Sequence, residues 1–180
     1  LVQRFGSKRG LLLALASRGA DAARETFAGL RAAHPSPLAA LRAYADCFAQ
    51  MFESPGTLAH HLSYLQLDLT DPEFFRHTRA QARASREALR DLLDAAVAAG
   101  ELGATHVGRL DTDALARAVE VTLSGSLWTW AFHRDGRAVD WVRQDLDALL
   151  LPYRAGARRT GAIKSANARR SPTSRSRGRR

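Results

Sequence analysis

Six histidines, one cysteine and a few serine–glycine pairings are the groups in this 180-residue chain best suited to chemistry. His60, His61 and His77 offer nitrogen ligands for a metal ion, and Glu73 stands one helical turn before His77. Adjacent histidines point to different sides of a helix, so His60-His61 does not converge, and one remaining pair falls short of a metal site. Cys47 stands alone and excludes both an internal disulfide and a thiolate zinc site. His133-Arg134-Asp135 has the order of a kinase catalytic loop, but Asp140 occupies the place of the required Asn. No glycine-rich loop or Asp-Phe-Gly accompanies it. Ser124-Gly125-Ser126 lacks the glycines two residues either side of a nucleophilic serine. The expectation is a protein that is not an enzyme, with no catalytic residue, no metal and no cofactor. Asp135-Gly136 then reads as a turn.

The elements around these residues are helical by composition. Hydrophobic residues make up 46% of the chain, and many are Ala and Leu, strong helix formers. The longest stretch without Asp, Glu, Lys or Arg runs from Ser54 to Leu67. That is well short of the roughly 20 apolar residues that span a bilayer. Leu11 to Ala16 is too short for the apolar region of a secretory signal. No membrane partner is expected, and the lone cysteine suits a reducing cytoplasm. Leu rather than Met at position 1 suggests that the natural protein begins upstream. The net charge of +9 is localised: nine of the 27 basic residues lie in Ala155–Arg180, which has no acid, leaving 18 basic against 18 acidic residues in the rest. With Ile163 as its one large apolar residue, that tail cannot offset the entropy of ordering and is expected to be disordered. Its arginines suit a non-specific, salt-sensitive grip on phosphates. It has no aromatic on which single-stranded bases would stack.

Apolar spacing and capping signals predict six helices and no strand. Ser7 caps a long first helix carrying Leu12, Leu15, Ala22, Phe27 and Leu30 up to His34-Pro35. Ser36-Pro37, Ser54-Pro55 and Asp71-Pro72 each pair a cap with proline at the first helical position, where it sacrifices no hydrogen bond. They open helices with Leu38, Leu41, Ala45, Phe48 and Phe52, then a short one with Leu58, Leu62 and Leu65. The third runs from Phe74 through Leu89, Leu92, Leu93, Ala96 and Val97 to Gly100. Asp111 or Thr112 caps the fifth, which stops at Gly136. The sixth shows Val139, Val142, Leu146, Leu149 and Tyr153.

The opening residues Leu1-Val2-Gln3-Arg4-Phe5-Gly6-Ser7-Lys8-Arg9-Gly10-Leu11 resemble the junction that closes the helix-turn-helix of the TetR/AcrR family of transcriptional regulators. The family pattern there is Leu-Tyr-x-His-Phe-x-x-Lys-x-x-Leu. Leu1, Phe5, Lys8 and Leu11 match it, while Val2 and Arg4 replace the usual Tyr and His. Gly125-Ser126-Leu127-Trp128-Thr129-Trp130, followed by Asp135-Gly136 and the Trp141 helix, extends the similarity across roughly Leu1–Arg154, the middle in layout more than in residues.

The resemblance implies an all-α, TetR-like helical bundle in three parts. Residues 1–10 would be the end of an incomplete DNA-binding head, 11–154 a ligand-binding and dimerisation domain, and 155–180 the Arg-rich tail. Arg4 and Lys8 would touch operator DNA phosphates, Lys8 from a helix N-terminus that already favours anions. Base contacts would come from upstream, so residues 1–180 alone should dimerise without reading a specific operator. The last two helices would pair with their mates in a homodimer through Leu115, Val119, Leu123, Gly125, Leu127, Trp128, Val142, Leu146 and Leu149. The competing reading of these residues is an internal core. An apolar or aromatic effector would sit among Phe48, Met51, Phe52, His60, His61, Tyr64, Phe74, Phe75 and Trp130, with Gln66 as a further anchor. These too compete with a reading as plain core. A single helix from Lys8 to Ala33 would act as the lever between DNA and the effector near Phe27. The alternative function is a helical ligand-binding or interaction module with a basic tail and no sequence-specific DNA binding.

Overall fold

The computed structural model describes residues 6–52, 54–104 and 110–154. Arg4, the matching residues Leu1 and Phe5, and the Arg-rich tail lie outside these. Among the described residues there are seven α-helices: α1 (Lys8–Ala16), α2 (Gly19–Ala33), α3 (Pro37–Gln50), α4 (Pro55–Thr70), α5 (Pro72–Ala98), α6 (Thr112–His133) and α7 (Ala138–Leu150). A 3-10 turn, Leu151–Tyr153, follows, and the only β-type pairing among the described residues is the single bridge between Leu102 and Arg154.

The capping signals act as expected. Ser7, Ser36 and Ser54 accept from the backbone N–H three residues ahead, at 2.9–3.1 Å. Asp71 and Asp111 each accept from two amides of the first turn of α5 and α6. Each cap satisfies a donor that the helix itself leaves unpaired. Gly100, at φ +72°, closes α5, and the Glu101 amide then reaches back to the Ala96 carbonyl at 2.9 Å. The Glu101 carboxylate accepts from the Leu38 amide at 2.9 Å, a second cap on α3 supplied from a distant segment.

Three elements differ from expectation. The predicted first helix is two helices, because the chain breaks at Ser17-Arg18. The Ser17 hydroxyl donates to the Ala14 carbonyl at 2.9 Å and its amide closes on Leu13. Gly19 then brings α2 so near α5 that a Cβ there would collide with Gln81 Oε1. The helix opened by Ser54-Pro55 runs on to Thr70 and is not short. At the end of α6 the left-handed residue is Arg134, at φ 59°, with Gly136 taking a second positive φ two residues later. Two indoles clasp this turn: Trp130 Nε1–H donates to Gly136 O at 3.2 Å and Trp141 Nε1–H to Asp135 O at 2.6 Å. His133-Arg134-Asp135 is therefore the α6–α7 corner.

α2 packs chiefly on α5, α6 on α7, and α7 on α3, with α5 also in contact with α3, α4 and α6. The centre is Leu41, Leu89, Leu93, Val119, Leu123, Leu127, Val142, Leu146 and Leu150, all essentially inaccessible. No described helix is long and apolar enough to cross a membrane.

Candidate ligand-binding site

A cavity of about 470 Å³ opens among α2, α3, α4 and α5. That volume falls within the range of small-molecule sites. α3 supplies its aromatic wall, since Tyr44, Cys47, Phe48 and Met51 recur at helical spacing on one face. Phe27 from α2 and Phe52 just past α3 extend the wall into a ladder. Ring centroids lie 4.2 Å apart for Phe27–Tyr44, 6.3 Å for Tyr44–Phe48 and 5.6 Å for Phe48–Phe52. Against this wall α2 and α5 present mainly small or short polar residues, including Ala22, Ala23, Thr26, Thr78, Ala82 and Ser85, and so leave space.

α4 contributes His61, Leu65 and Asp68, again one face at i, i+4 and i+7. The His61 ring meets Phe52 edge-on at 5.1 Å. Asp68 is half-buried, and no lysine or arginine lines the cavity. Burial pushes the Tyr44 phenol up to about 12, with the Glu120 charge adding to the effect. Tyr44 is thus a neutral hydroxyl over the whole physiological range. A second cleft of about 460 Å³ shares Phe27 but is rimmed by Arg24, Arg31, Glu87 and Asp91, charges of both signs with no other aromatic. Convergent polar groups on an apolar wall favour the first cavity as the ligand site.

Of the residues expected in a pocket, Phe48, Met51, Phe52 and His61 line this cavity. His60 and Tyr64 pair with each other at 5.2 Å and are not part of the lining, and Gln66 is exposed. Phe74 is buried at the start of α5, with the Arg9 guanidinium over its ring at 5.5 Å. Phe75 lies on the outer surface in a shallow groove with Arg24, Arg76, Arg79 and Arg83. Trp130 belongs to the central core, and its indole is committed to the α6–α7 corner. Tyr44, Cys47, Leu65 and Asp68 were missed. Their signal was present, because each shares a helix face with a residue already singled out.

The connection from the cavity to the N-terminal end runs through α1 and α5. No residue of α1 is fully buried. Arg9 holds α1 to the first turn of α5, donating to Asp71 Oδ2 and Glu73 Oε2 at 2.8 Å each. That hydrogen bond from Arg9 holds the Asp71 carboxyl below the usual aspartate range, with the backbone amides of Glu73 and Phe74 assisting. Lys8 is exposed in the first turn of α1, beside the Ser7 cap. The expected single lever from Lys8 to Ala33 is thus jointed, and only its α2 half lines the cavity.

Most residues expected at a dimer seam lie elsewhere. Leu115, Val119, Leu123, Leu127, Val142 and Leu146 are inside the chain's own core, and Leu149 packs against it, so the core reading holds for these. The outer face of α6 carries a different stripe: Val121, Gly125, Trp128 and Phe132, at i, i+4, i+7 and i+11. Val121, Trp128 and Phe132 are 67%, 44% and 81% exposed, and a Cβ on Gly125 would meet open space. Gly125 and Trp128 are the two residues of the expected seam that this face contains.

No family model matches the chain, and no curated protein matches it. Among solved structures it is similar to the crystal structure of PfmR, a TetR family transcriptional regulator from Thermus thermophilus. The two are 28% identical, and the match covers 83% of this chain and 79% of that one with a TM-score of 0.60.

Proposed function

The chain has the fold of the TetR family of transcriptional regulators, and on that premise we propose that it works as a homodimeric repressor. Its hold on operator DNA is set by a small molecule bound in the α2–α5 cavity. The observation that carries this reading is the placement of the cavity. It touches α5, whose first turn holds α1 through Arg9, and α2, which follows α1 after a two-residue joint. A ligand that repositions α5 changes where α1 sits, and with it the position of Lys8, whereas displacement of α2 reaches α1 only through the joint. The size of the response is bounded by the ligand's difference in affinity for the two arrangements. Lys8, together with Arg4, is the phosphate contact in this proposal. The apolar stripe on α6 supplies the seam between copies, since large exposed aromatics in register are what association would cover.

The test couples two measurements on the protein as its host makes it. Small aromatic compounds are first ranked by how far they raise Tm, since binding to the folded state alone must stabilise it. Those that bind are then added to the complex of the protein with DNA flanking its own coding sequence. Release of DNA in proportion to occupancy is expected. Compounds that occupy the cavity while DNA affinity stays unchanged would overturn effector control.

A further inference from the structure

We propose that the ligand of this cavity is a lipophilic organic cation, seated on the aromatic ladder with its charge facing Asp68. The inference rests on the cavity being the effector site and adds the chemical class of what enters it.

Apart from His61, the lining contains one acidic or basic side chain, the carboxylate of Asp68. Asp68 is half-buried and makes no hydrogen bond or ion pair within the described residues. Nearly every other partly covered acid of the fold is matched. Asp46 has Arg143, Asp71 has Arg9, Asp145 has Ser126, Asp147 has Arg42, and Glu120 has Arg86. A carboxylate partly withdrawn from water and left without a counter-charge favours a positive occupant.

The rest of the wall points the same way. Aromatic faces carry negative charge density and attract cations, most strongly where water is excluded. Tyr44 and Phe48 line the cavity, backed by the buried Phe27 and Phe52 with ring centroids 4.2–6.3 Å apart, so the wall that a ligand meets is largely aromatic. An anionic ligand would meet Asp68 and these ring faces with no lysine or arginine to offset the repulsion. A neutral ligand could use Thr78, Gln81 and Ser85, but it would leave Asp68 unmatched.

Methyltriphenylphosphonium and its near-isostere triphenylphosphine oxide separate charge from shape. Binding of each is measured by titration calorimetry at physiological salt to the full chain and to Asp68→Asn, Asp68→Glu and Phe48→Ala, with folding checked by circular dichroism and Tm. The phosphonium is expected to bind the native chain about tenfold or more tighter than the oxide. Asp68→Asn should remove most of that preference while changing oxide affinity less than about twofold, Asp68→Glu should restore it, and Phe48→Ala should weaken both ligands. Equal or tighter binding of the oxide by the native chain overturns the cation assignment and leaves the cavity as the effector site. So does an Asp68→Asn effect that is the same on both. If the phosphonium does not bind the native chain, the cation assignment falls, while the ligand-site reading is decided separately by the Tm screen of small compounds and their effect on DNA affinity.

Discussion

Phe132→Ala tests where two copies of this chain meet. Phe132 is 81% exposed. An aromatic side chain offers about 150–250 Å² of surface, so its truncation removes roughly 100 Å² of uncovered apolar area. In a two-fold dimer the change occurs on both sides of the seam, so roughly 200 Å² is lost in total. At about 25 cal/mol per Å² that is ~5 kcal/mol as an upper bound. Burial in an interface is incomplete and area converts poorly to affinity, so about half of this is expected. Sedimentation equilibrium over a range of concentrations should therefore show Kd rising on the order of 50- to 100-fold, with Tm at fixed low concentration little changed. Leu123→Ala is the contrasting variant. Leu123 is 2% exposed inside the chain, so its loss should cost ~2–5 kcal/mol of folding stability in urea titrations. Its effect on association of the folded chain should be small. A Phe132→Ala dimer with unchanged Kd would refute the assignment of this stripe as the seam, as would a Leu123→Ala protein that folds normally but no longer associates.

Further outcomes follow from the cavity and from the hold on α1. Tyr44 should ionise only near pH 12, seen as a late rise in phenolate absorbance that Tyr44→Phe abolishes. Because burial penalises the phenolate, this group leaves folding stability unchanged below pH ~10 and lowers it by about 2–3 kcal/mol as pH rises through about 12. Arg9→Ala should speed amide exchange throughout Lys8–Ala16 while leaving α6 and α7 protected; unchanged exchange would show that the ion pairs do not hold α1. In the native chain the Asp71 carboxylate is favoured by folding, so its contribution is present above the ordinary aspartate pKa and fades as pH falls through its lowered value. Exchange in α1 should rise over that acid range before the core yields.

The features legible in the sequence are the local ones. Ser36-Pro37, Ser54-Pro55, Asp71-Pro72 and Asp111 each place a side-chain acceptor beside the amides it satisfies, so a few residues decide the helix start. The break at Ser17-Arg18 was not legible, because the close approach of Gly19 involves Gln81, which lies more than 60 residues away. α6 was harder still, since it is apolar on two sides. Leu115, Val119, Leu123 and Leu127 form one stripe and Val121, Gly125, Trp128 and Phe132 another, and only packing against α7 decides which is internal. Grouping Leu127 with Trp128 placed neighbours on one face, which helical geometry forbids. In the cavity, the aromatic residues of α3 stand out by type and spacing, whereas Asp68 is marked only by sharing a helix face with His61.

The two-residue joint between α1 and α2 has a consequence for how any signal would leave the body. A rigid rod would force every displacement near Phe27 to reappear, magnified, at Lys8. A jointed arm does not transmit bending in that way, and α1 instead follows the first turn of α5, to which Arg9 ties it. Sliding or tilting of α5 past its neighbours would then steer the N-terminal end, while α2 serves mainly as the near wall of the chamber.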